Sequence, residues 1–225
     1  TVNAKALYPY EVVDKAIRLM GYNSGWFRKN SSNIPLDNTD RLMINKYWDN
    51  LRDYFNGAAF NGMALVDVSG SMTIQHNSIA PINIAIALGL YCAEKCSGPY
   101  KGHFITFESN PHFIEVEGED FVEKVKNMHN APWGGRNKNK KAFDLMLQVA
   151  IRNNLSQEDI PKNLIIVSDM EFDAATRGHN FCPLCDSIKN DWAAAGYKMP
   201  HLVFWNCNAR HDLIPMQDDG EVTFV

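Results

Sequence analysis

Asp67, Ser69 and Ser71 stand at i, i+2 and i+4 in the run Asp67-Val68-Ser69-Gly70-Ser71-Met72. In an extended segment, side chains at that spacing point the same way, and Gly70 between the serines lets the backbone bend around whatever they hold. One carboxylate and two hydroxyls form an all-oxygen set, which suits a hard cation such as Mg²⁺ or Mn²⁺ better than zinc. Neutral hydroxyls ligate without cancelling the ion's charge, so an open position stays electrophilic. A carboxylate from outside is then the natural last ligand. A second aspartate, in Ser168-Asp169-Met170-Glu171-Phe172-Asp173, also follows an apolar run. Asp169 is expected to complete the set directly or through a water.

Other chemistries for these residues fail on spacing. An EF-hand needs Gly and Glu where Met72 and Ser78 stand. A haloacid-dehalogenase phosphatase needs Asp at Ser69, a nucleophile elbow needs Gly at Asp67, and no Walker A loop occurs. Hydrolysis by Asp67 and Asp169 as paired carboxylates needs an activated nucleophile and more acidic or imidazole groups than Glu171 and Asp173 supply, so the chain is not expected to be an enzyme. An aspartate and two serines capping a turn is the purely structural alternative. Two further clusters invite weighing. Cys182-Pro183-Leu184-Cys185, with His179, Cys207 and His211, is a weak zinc signal that also fits the inward face of a helix start. Arg136, Lys138, Lys140 and Lys141 beside Trp133 suit either single-stranded nucleic acid or a solvated helix start.

The elements that must position Asp67 and Asp169 follow from periodicity. Two helical patterns, Tyr10 to Met20 and Asp40 to Phe55, occupy the first sixty residues, the second with Leu42, Tyr47, Leu51 and Tyr54 or Phe55 as its stripe. A polar loop, Gly21 to Asn38, separates them. From residue 61, short apolar runs alternate with amphipathic segments: strands at Met63–Val66, His103–Phe107, Phe113–Val116, Leu164–Val167, His201–Trp205 and Glu221–Val225. Between them fall helices at Ile79–Cys96, Glu119–Met128, Lys140–Asn153 and Cys182–Ala195. This alternation implies right-handed crossovers and a doubly wound α/β unit, a mostly parallel sheet with helices on both faces. Two regions result, an N-terminal helical segment at 1–60 and the α/β domain at 61–225. In such a sheet ligands bind at the carboxyl ends of the strands, where both aspartates lie.

Composition sets the outer limits. With 225 residues, 45% apolar and 21% charged, the chain excludes a disordered tail, a collagen and a coiled coil. A net charge of −4 argues against a generic polyanion binder while leaving room for a local basic patch. The apolar stretch Ile82 to Ala93 is interrupted by Asn83 and Gly89 and is too short to cross a bilayer, and no secretory segment opens the chain. Five cysteines, with Cys92 and Cys96 at helical spacing, read as reduced buried thiols, so a cytoplasmic location is expected. The chain lacks an initiator Met and stops in a strand-like run, which reads as a fragment or processed product.

Asp67-x-Ser69-x-Ser71 with Asp169 resembles the metal-ion-dependent adhesion site, or MIDAS, of the von Willebrand factor A (vWA) domain over residues 60 to 225. More narrowly, Ala6-Leu7-Tyr8-Pro9-Tyr10, Trp133-Gly134-Gly135, Ser168 to Asp173 and Phe204-Trp205-Asn206 are similar to an uncharacterised A-domain family, a domain of unknown function related to Ro-type RNA-binding autoantigens. The resemblance implies an A-domain fold, a Mg²⁺ or Mn²⁺ ion, and a protein partner offering an exposed Asp or Glu. It also implies a threonine ligand after the glycine pair, where Arg136-Asn137-Lys138 stands; Asn137 aligns with it and carries an amide oxygen. Gly70, Gly135, Arg136 and Glu171 would form the rim. Two alternatives accompany this expectation: an RNA-associated scaffold like the Ro-type proteins, and a degenerate A domain that serves structure without metal.

Overall fold

The structure is a computed structural model describing residues 7–22, 37–58, 60–74, 80–107, 110–129, 139–169, 182–207 and 222–224. Among these residues six strands form one sheet: β1 (Gly62–Asp67), β2 (His103–Phe107), β3 (Phe113–Glu115), β4 (Asn163–Ser168), β5 (His201–Asn206) and β6 (Val222–Phe224). Their order is β3-β2-β1-β4-β5-β6, parallel throughout except for the antiparallel edge pair of β2 and β3. All six residues of β1 are buried. That is the continuous apolar pattern expected of a central strand in a parallel sheet covered on both faces.

Among the described residues six α-helices accompany the sheet: α1 (Pro9–Leu19), α2 (Asn38–Asp49), α3 (Pro81–Lys95), α4 (Phe121–His129), α5 (Asn139–Arg152) and α6 (Cys182–Ala194). α3 carries the chain from β1 to β2 and α6 carries it from β4 to β5, in opposite directions along the sheet, so right-handed crossovers place them on opposite faces. Proline opens α1 and α3, where its fixed φ suits the first turn and no amide hydrogen is missed. Gly89 lets α3 lie close on the sheet: a Cβ there would fall 2.8 Å from Val66 Cγ2. That proximity holds a residue that costs about 1 kcal/mol in helix propensity.

The N-terminal helices share the core of the α/β unit. Val12, Val13, Ala16 and Ile17 of α1 are buried, and Asn83 Nδ2 of α3 donates to Asp14 Oδ1 at 3.1 Å. α2 departs from the expected pattern. It ends at Asp49, Leu42 is 65% exposed, and its buried stripe is Ile44 and Trp48. Trp48 stacks on Phe121 of α4 at 4.0 Å and donates through Nε1 to Glu94 Oε2 at 2.8 Å. Those two contacts fix the rotation of the helix, and Leu42 falls on the opposite side. After α2, residues 50–58 turn, with Asn56 and Gly57 both at positive φ.

Beside α3, toward β4 and β5, the surface opens into an apolar groove of about 480 Å³. Tyr8, Tyr10, Leu88, Tyr91, Ile165 and Trp205 are among its walls, and none of its described lining residues is charged. Cys92 and Cys96, as expected, are buried free thiols, and burial pushes the Cys92 thiol up to about 12. No helix among the described residues is long and apolar enough to cross a membrane.

Candidate metal centre

β1 and β4 are neighbours, with Val66 opposite Val167, and the next residues bring polar groups to the carboxyl ends of both strands. Asp67 is fully buried and Asp169 is 2% exposed. Ser168 Oγ donates to Asp67 Oδ2 at 2.6 Å, and the backbone N–H of Ser69 donates to Oδ1 at 2.9 Å. Such contacts orient a carboxylate that burial alone would penalise. This end of β1 is also where the strand order reverses, the crevice in which open α/β sheets bind ligands.

Ser69 Oγ and Ser71 Oγ lie 3.1 Å apart. The reason differs from the expected alternation along an extended segment. Ser69 is extended, with φ −64° and ψ 162°, but Gly70–Thr73 forms a 3₁₀ turn, closed by Met72 and Ile74 N–H bonds to the carbonyls of Ser69 and Ser71. The turn folds Ser71 back against Ser69. Gly70 does not act as expected either, since its φ is not left-handed and its position is open. Asn137, Gly135, Arg136 and Glu171, expected as ligand and rim, lie outside the described residues, as do His179 and His211.

The serine spacing fits a hard cation: octahedral Mg²⁺ with bonds of about 2.1 Å sets adjacent oxygens about 3 Å apart. Asp67 and Asp169 would supply carboxylates, Ser69 and Ser71 hydroxyls. Among the described residues no group of three or more His, Cys, Asp or Glu side chains is placed to hold a metal.

Cys207, a zinc candidate by sequence, forms a wall of this site. It follows β5, its N–H donates to Ser168 O at 3.0 Å, and its Sγ lies 4.0 Å from Met72 Sδ. Burial, then the charges of Asp67 and Asp169, push its thiol well above the ordinary range. Its position just past an apolar strand is the same signal that marks the two aspartates. Lys140, from the basic run, pairs instead with Asp191 of α6 at 2.5 Å and with Asp144 at 3.8 Å. It joins α5 to α6.

Strand order and parallel pairing define a doubly wound α/β protein with a von Willebrand A-like fold. The chain belongs to the family described as a domain of unknown function, DUF7788, which matches residues 61–225. It is similar to the uncharacterized protein L728 of Acanthamoeba polyphaga mimivirus, at 32% identity over 98% of this chain and 35% of that protein. In fold it is similar to the Ro (RSR) protein of Deinococcus radiodurans, with a TM-score of 0.53 and 14% identity, over 97% of this chain and 41% of that one. The chain thus spans well under half the length of both.

Proposed function

We propose that the chain is a binding module that holds a divalent cation, Mg²⁺ or Mn²⁺, on Asp67, Ser69, Ser71 and Asp169 and offers it to an Asp or Glu of a protein partner. The 3.1 Å approach of the two serine hydroxyls beside two buried aspartates is the observation that carries this reading. Asn137, Gly135, Arg136 and Glu171 enter it from the sequence resemblance alone. The bound ion supplies Lewis acidity toward an oxygen ligand. The chain's own part is to hold oxygen donors at a strand end, to orient Asp67 through Ser168 and Ser69, and to place Cys207 and Met72 behind them. No catalytic step belongs to this reading.

Thermal unfolding followed by circular dichroism tests it. Mn²⁺ at about 100 times its Kd stabilises a one-site protein by about 2.7 kcal/mol. The expected result is a dose-dependent rise in Tm that Asp67→Ala abolishes, with Mg²⁺-dependent, EDTA-reversible retention on immobilised poly-glutamate. A Tm indifferent to both ions overturns metal binding and leaves the structural alternative. A second reading, an RNA-associated scaffold, draws on the sequence resemblance to Ro-type proteins. The fold likeness favours it by covering 97% of the chain, N-terminal helices included. A salt-dependent RNA gel shift insensitive to EDTA is its expected sign.

A further inference from the structure

At the opposite end of the sheet from the aspartates, a cavity of about 760 Å³ lies between the segment entering β4, α6 and the segment entering β5. Among its described lining residues are three lysines from these three pieces of chain, Lys162, Lys189 and Lys198, together with His201 and one acid, Glu158. In a chain of net charge −4 this is a local reversal of sign. Elsewhere Arg18 pairs with Asp14, Arg41 with Asp120, Lys124 with Glu94 and Lys140 with Asp191. Lys162 and Lys198 are exposed and have no carboxylate partner among the described residues.

Their backbones are fixed. Lys198 N–H donates to Gln157 Oε1 at 2.7 Å, and Gln157 Nε2 donates back to Lys198 O at 3.3 Å. Lys162 N–H donates to Asn61 Oδ1 at 2.9 Å, and its carbonyl accepts from His201 N–H at 2.8 Å. Ile160, Pro161 and Pro200 are buried and give the cavity an apolar floor, with the half-buried Tyr197 and Met199 beside them.

We propose that this cavity binds a phosphorylated small molecule with a flat apolar group, of the size and kind of a nucleoside phosphate. Three features select that class. The volume falls within the roughly 300–1,000 Å³ of small-molecule sites. The lysines among the described lining residues act as point charges, a mode in which lysine binds phosphate. The apolar floor gives a ring a surface that bare inorganic phosphate would not use. The proposal is independent of the cation reading, because it uses none of the same residues.

Calorimetric titration of the whole chain with ATP in excess EDTA tests it, since chelation removes any bridge through Asp67. The expected result is saturable one-site binding that weakens as salt rises. Lys162→Gln and Lys198→Gln should each weaken it about three- to fivefold, the upper range for an exposed charge pair. Ala193→Glu, on the exposed lining, should abolish it, and Asp67→Ala should leave it unchanged. Circular dichroism melts confirm that each variant folds. No saturable heat, or binding indifferent to the double lysine substitution, overturns the site. Pyrophosphate binding as tightly as ATP overturns the ring-bearing class, and binding of single-stranded RNA without binding of ATP overturns the small-molecule assignment.

Discussion

Gly70 stands between the two serines of the candidate site, yet a Cβ at that position would meet nothing within 4 Å and its φ is not left-handed. Gly70→Ala is therefore expected to change stability by no more than about 0.5 kcal/mol, as an unremarkable surface substitution does, and to leave the Mn²⁺ response intact. Urea unfolding and the Mn²⁺ melt check both, and a lost response would mean that glycine's freedom is used when the ion binds. Of the site itself, Asp67 and Asp169 were legible because each ends a short apolar run, and a strand buried on both faces leaves few places for a carboxylate except its end. Ser71 lies beside Ser69 for a reason other than alternation along an extended segment. Periodicity registers extended or helical segments, and a single 3₁₀ turn is too short to leave a period. Cys207 escaped notice as a wall of this site because a thiol does not belong to an oxygen set and 140 residues separate it from Asp67. The lysines of the basic cavity were not legible at all: each stands alone in its own segment and looks like any solvated lysine until the fold gathers them.

α2 and α4 meet through Asp120, and this junction predicts a pH dependence. Burial alone would raise the Asp120 carboxyl. The hydrogen bonds from Arg41 Nε at 2.7 Å, Glu123 N–H at 2.9 Å and Asn45 Nδ2 at 2.8 Å outweigh it and hold the group below the ordinary aspartate value. A carboxyl that titrates lower when folded leaves the unfolded chain to take up protons first. Its contribution is then complete above the unfolded value of about 3.9 and is lost as pH falls through and below it. The urea midpoint should fall on acidification below that value, and less steeply in Asp120→Asn, which keeps one acceptor oxygen but does not titrate. An equal slope in the variant would assign the acid sensitivity elsewhere, for instance to Asp53, which accepts from the N–H groups of Gly57 and Phe55 and is likewise held low. Element types were largely readable here, lengths less so. The stripe assigned to α2 ran on to Phe55, but its apolar residues past Asp49 belong to turns that pack Phe55 on Phe60 and Tyr91, and spacing alone does not separate a helix from a turn that buries the same residue types.

Across the whole molecule, alternation of strands and helices disclosed a parallel, two-sided sheet, while strand order was not written in any local pattern. Pairing β1 with β4 joins segments about a hundred residues apart, and only the completed sheet brings Asp67 and Asp169 to one crevice. The same global arrangement leaves the aromatic groove beside α3 facing outward. Reporter dyes that brighten on contact with oily surfaces, commonly used to follow denaturation, should therefore fluoresce strongly on the intact protein and give a high starting baseline in a heating scan. Leu88→Glu, at a half-buried position in that groove, should dim this signal at room temperature, whereas a dark native sample would show that the aromatic walls are closed to solvent. For this chain, brightness at the outset of such a scan would signify an accessible trough rather than a partially melted sample.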